Sequence, residues 1–67
     1  MTADPVSWLM IEPGWIVVDK NGKRVGKVKE VLGEREADIW DGLTVSGDYV
    51  PAEDVAEIVE GRITLSR

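Results

Sequence analysis

The sequence has no cysteine and no histidine. The first absence excludes disulfides and thiolate metal sites. The second removes the commonest general base and the commonest metal ligand. No stretch approaches the ~18 apolar residues of a membrane helix. The opening apolar run, Val6 to Ile11, is too short for a secretory signal and has no basic region before it, so a cytoplasmic protein with no membrane insertion is the expectation. At 67 residues there is room for one small domain. Such a domain buries only about 60% of its unfolded surface. With disulfides excluded and the commonest metal ligands missing, the usual support left is association. Three tryptophans in so short a chain point the same way.

What is present is charge, unevenly placed. Thirteen acids face eight bases, for a net charge of -5. That balance opposes general binding to nucleic acid or anionic lipid. Lys20, Lys23, Arg24, Lys27 and Lys29 nevertheless form one basic cluster, and ten of the acids follow between Glu30 and Glu60. Such polarity could steer two copies together in an antiparallel sense. The simpler reading is a solvated surface on a pair of strands.

Turn signals divide the chain into short extended segments. Asp4-Pro5 suits a helix start, and Pro13-Gly14 stops whatever begins there, so residues 1–13 form an arm with at most two helical turns. Trp15 to Val18 is β-branched and aromatic, which predicts a strand. Asn21-Gly22 predicts a tight hairpin, because both residues tolerate positive φ. Arg24 to Leu32 follows as a second strand. Its apolar residues cannot all share one face without a bulge, and Gly26 marks a place for one. Gly33 to Glu36 is a polar turn. Ile39 to Ser46 is a third strand, with Ile39, Leu43 and Val45 expected on the core face and Trp40 pointing away. Gly47-Asp48, Pro51 with Ala52-Glu53-Asp54, and Glu60-Gly61 separate three more short strands. Five or six strands with turns every eight to twelve residues predict a small antiparallel barrel over residues 14–67. Closing it would hide the sheet edges.

The glycines and bases of DKNGKRVGKVKEV (residues 19–31) invite comparison with a phosphate loop. A Walker-type loop needs four residues between glycine and Gly-Lys, then Ser or Thr. Here only three residues lie between Gly22 and Gly26, and Val28 follows Lys27. The spacing of a dinucleotide fingerprint fails as well. Glu34, Glu36, Asp38 and Asp41 lack the spacing of a calcium loop. Glu53-Asp54 reads as a turn cap rather than an acid–base pair. The serines have no histidine to activate them. No catalytic, metal or cofactor residue is assigned, and the chain is expected not to be an enzyme.

The order of motifs carries a resemblance. Trp15-Ile16-Val17-Val18-Asp19, Asn21-Gly22, Val25-Gly26-Lys27-Val28, Leu43-Thr44-Val45, Tyr49-Val50-Pro51 and Val55-Ala56-Glu57-Ile58 resemble the PRC-barrel family over roughly residues 14–66. That family is named for the photosynthetic reaction-centre H subunit. It includes the C-terminal domain of a ribosome-maturation factor and many small stand-alone proteins. The opening Trp8 to Trp15 is similar to a subgroup of those stand-alone members. The resemblance implies a β-barrel of about six strands and an interaction module without catalysis. Only three residues separate Val45 from Tyr49, where relatives commonly carry a longer hairpin; a partner site built on that hairpin would be missing here.

Two functional expectations result. The first is a homodimer that also binds a protein partner through an apolar face, with Trp8, Leu9, Trp40 and Val45 as contacts. For the tryptophans the competing reading is a lid within the chain. The second is an RNA- or ribosome-associated barrel using Lys20, Lys23, Arg24, Lys27 and Lys29, with Trp15 the only aromatic beside them.

Overall fold

Turn chemistry cuts the chain much as its sequence predicts. The structure is a computed structural model and describes residues 7–67; the expected helix start at Asp4-Pro5 lies outside them. Six strands are formed: β1 (Ile16–Val18), β2 (Arg24–Glu34), β3 (Ile39–Val45), β4 (Asp48–Pro51), β5 (Val55–Val59) and β6 (Arg62–Leu65). Single 3₁₀ turns occur at Trp8–Met10 and, as expected after Pro51, at Ala52–Asp54. The first is capped by Ser7, whose hydroxyl oxygen accepts from the Leu9 N–H.

Two turns differ from expectation. Five residues, Asp19 to Lys23, join β1 to β2, and among them only Gly22 takes positive φ (84°). The cause is Asp19. Its Oδ1 accepts from the Asn21 and Lys23 N–H groups, each at 2.9 Å, and so fixes a turn that Asn21 enters with ordinary φ. The β2–β3 turn lies at residues 35–38 rather than 33–36, because pairing with β3 extends β2 to Glu34. The β3–β4 hairpin is the two-residue type, with Ser46 and Gly47 at φ 50° and 90°.

The strands form one curled sheet, a half-barrel in the order β4-β3-β2-β1-β6-β5. Four pairings are antiparallel. The fifth, β1 with β6, is parallel (Val17 opposite Ile63), so the sheet is mixed. β2 is shared: its first half pairs with β1 and its second with β3. The edges β4 and β5 are not paired with each other. Each is blunted, β4 by its shortness and Pro51, β5 by a bulge at Ala56.

Bulges decide which residues face inward. The register of β2 slips at Val25, beside Gly26, and again at Lys29. These slips let Val28 and Val31 both pack inward and leave Val25 exposed. Gly26 also serves close packing, since a Cβ there would collide with the Ser46 side chain. In β3 the pairs Leu32–Gly42 and Gly33–Trp40 leave Asp41 as the extra residue. That insertion shifts the alternation by one. Trp40 therefore joins Leu43 and Val45 at the core, and Ile39 is turned out to 58% exposure, the reverse of the sequence-based expectation.

The core comprises Ile11, Val17, Val28, Leu43, Val45, Val50, Ile63 and Leu65. Burying each such side chain stabilises the fold by about 1.5–3 kcal/mol before entropy is counted. Ile11 comes from the segment expected to be a separate arm. Residues 8–11 and the barrel thus share one core.

Candidate interaction surfaces

The N-terminal turn is fixed to the β2–β3 hairpin by three contacts. Trp8 stacks on Trp40, with ring centroids 6.0 Å apart and planes within 4°. Its Nε1–H donates to Asp38 Oδ1 at 2.8 Å. Arg35 Nη2 donates to the Leu9 carbonyl at 2.8 Å. Gly33 makes the seat: a Cβ there would lie 3.1 Å from Trp8 Cη2 and 2.6 Å from the Ile39 carbonyl oxygen. Asp38 adopts positive φ (54°), which brings its carboxylate to the indole end of Trp8. Trp40 is satisfied locally, its Nε1–H donating to the Gly42 carbonyl at 2.9 Å.

The four expected contact residues therefore divide. Trp8 and Trp40 are half-buried, pack on the core and form a lid within the chain. Leu9 is half-buried at the rim of a groove. Val45 is 2% exposed and belongs to the core, so it has no surface to offer a partner. The inward position was legible in the sequence, since alternation along β3 already places Val45 beside Leu43 on the core face.

The groove has a volume of about 410 Å³ and is lined by Leu9, Met10, Ile11, Trp15, Arg35 and two acids, Glu12 and Glu60. Met10, at the tip of the 3₁₀ turn, is 61% exposed. Sequence reasoning missed it, since nothing in the pattern says which residue of a short turn points outward.

The basic residues Lys20, Lys23, Arg24, Lys27 and Lys29 are all exposed on the β1–β2 hairpin and along β2. Trp15, expected beside them as a stacking surface, instead packs against the core and lines the groove. The Lys20 N–H donates to the Arg67 carbonyl, which brings one more base to the same end. Among the described residues the ion pairs are Arg62–Glu57 at 4.0 Å and Arg67–Asp54 at 3.7 Å. Both lie at the surface, with only Asp54 half-buried, and are worth little. No group of three acids among the described residues stands close enough to hold a metal ion, and no described helix is long and apolar enough to cross a membrane.

On the outer side of β3 and β4, Tyr49 lies opposite Thr44, and its hydroxyl donates to the Asp41 carbonyl at 2.9 Å. The Thr44 hydroxyl oxygen is buried without a partner. Together with the half-barrel sheet, these features define a small all-β protein with exposed apolar positions. No protein-family model matches the chain, and no curated protein matches it significantly.

Proposed function

We propose that this chain is a non-catalytic interaction module of the PRC-barrel kind, which pairs with a second copy and binds a protein partner through exposed apolar surface. One observation carries the reading. Met10, Ile16, Val25, Ile39 and Tyr49 stand between 37% and 61% exposed on a chain of only 67 residues. Scattered apolar residues are ordinary on protein surfaces. Here Met10 joins Leu9 and Trp15 around one groove, and the other four lie one on each of β1, β2, β3 and β4. The Trp8–Trp40 lid supports the groove by holding Leu9 and Met10 in place. Methionine suits such a role, because its flexible side chain adapts to different partners.

The mechanism is burial of apolar area at roughly 25 cal/mol per Å², opposed by the entropy lost on association. Sedimentation equilibrium from micromolar to millimolar concentration tests self-association, with a dimer expected and a monomer throughout contradicting it. Partner capture by the wild type and by Met10→Glu tests the groove. Loss of captured protein in a variant that keeps its fold is expected, and equal capture would remove the groove from the proposal.

A further inference from the structure

β2 and the two hairpins it joins carry opposite charge at opposite ends. Residues 19–29 hold five bases against one acid, a net charge of +4. The one acid, Asp19, is occupied by the N–H groups of its own turn. Residues 30–41 hold five acids (Glu30, Glu34, Glu36, Asp38 and Asp41) against one base, a net charge of -4. That base, Arg35, donates to the Leu9 carbonyl. Eleven residues at about 3.3 Å each make β2 comparable in length to the longest dimension of the molecule, 32 Å. The blocks meet at Lys29 and Glu30, while their outer ends, at Arg24 and Glu34, stand well beyond one screening length of about 10 Å at moderate salt. None of these ten majority charges forms an ion pair with another described residue.

Exposed apolar side chains accompany both blocks. In the basic half, Val25 is 49% exposed, and Ile16 (37%) lies opposite Lys27. In the acidic half, Ile39 (58%) lies opposite Glu34, and Tyr49 (53%) is next to Thr44, itself opposite Glu30. Each half thus offers two apolar contacts and a charge of the sign the other half lacks. A surface that contains its own complement is what a two-fold dimer requires. Both sheet edges are blunted, which favours contact through a face.

We propose that the flank of β2 is a self-complementary interface on which two copies lie antiparallel, the basic half of each against the acidic half of the other. This rests on the self-association reading above and adds the surface and the orientation. The apolar side chains supply affinity, while the charges fix the direction and speed the encounter. A parallel arrangement would set each block against its like. Nucleic acid is the weaker occupant, because the -4 block adjoins the basic one and the whole chain carries -5.

Charge reversal tests the proposal. Lys23→Glu/Arg24→Glu takes the basic half from +4 to 0, and Glu34→Lys/Glu36→Lys takes the acidic half from -4 to 0, so each variant alone loses the attraction between halves. All four side chains are exposed, so circular dichroism should be unchanged. The wild type is expected to dimerise more weakly as salt rises. Each variant alone should lose about 100-fold in dimer affinity, and an equimolar mixture should form a heterodimer near wild-type affinity. Dimerisation that ignores the reversals, or a mixture that fails to recover it, would overturn the antiparallel interface and leave self-association standing. A wild type that stays monomeric at low salt and millimolar concentration would overturn both, and salt-sensitive retention of that monomer on RNA would assign the basic half to nucleic acid instead.

Discussion

Removing Trp8 is the sharpest perturbation of the fold, because one side chain joins the N-terminal turn to the β2–β3 hairpin. Trp8 is half-buried, stacked on Trp40 at 6.0 Å and bonded to Asp38 at 2.8 Å. Roughly 100 Å² of buried ring contributes about 2.5 kcal/mol at 25 cal/mol per Å². The exposed hydrogen bond adds at most about 0.5–1 kcal/mol. Relaxation of the freed turn returns part of this, so Trp8→Ala should cost about 2–3 kcal/mol. A domain of this size has roughly 3–10 kcal/mol in all, and the melting temperature should fall by about 10–20 °C. Thermal and urea unfolding followed by far-ultraviolet circular dichroism measures the loss without relying on the fluorescence of the removed residue. Trp8→Phe keeps a stacked ring and loses the indole hydrogen bond, so it should cost only about 1 kcal/mol. Asp38→Asn keeps an acceptor and tolerates positive φ, and should stay within about 0.5 kcal/mol of wild type. If Trp8→Ala unfolds within about 0.5 kcal/mol of the parent, the lid contributes nothing and the ordered groove derived from it is wrong.

Four further outcomes are expected. Val45→Ala should cost about 2 kcal/mol in urea unfolding, since Val45 is 2% exposed, and should weaken association only as far as it weakens the fold. Gly47→Ala should cost about 1–2 kcal/mol from backbone strain alone, because φ is 90° and nothing lies within 4 Å of the added Cβ. Thr44→Val should stabilise by about 1 kcal/mol by replacing a buried hydroxyl that has no partner; a loss of similar size would show that the hydroxyl is satisfied in solution. The wild type should pass an RNA column at low salt, in keeping with its net charge of -5, and retention there would reopen the nucleic-acid reading of the basic cluster.

Strand positions were legible because turn residues mark them locally. Asn21-Gly22, Gly47, Pro51 and Gly61 each act within a few residues, and their signals placed all six strands to within two residues or so. Facing directions were less legible, since a bulge depends on the partner strand. One extra residue at Asp41 was enough to exchange the roles of Ile39 and Trp40. The parallel pairing of β1 with β6 joins segments more than forty residues apart and leaves no local mark. The same holds for the bond from Trp8 to Asp38, thirty residues away. Of the candidate surfaces, the charge asymmetry could be read directly, but the exposed apolar positions that accompany it could not. They depend on which residues the bulges turn outward.

The central claim, a half-barrel that meets a second copy along β2, is tested most directly by backbone NMR of the wild type over a dilution series from millimolar to micromolar at low salt. The account predicts concentration-dependent shifts at Ile16, Val25, Lys27, Glu34, Ile39 and Tyr49, with Leu43, Val45 and Ile63 moving little. A spectrum that does not change with concentration, or changes confined to residues away from β2 and its neighbours, would contradict it.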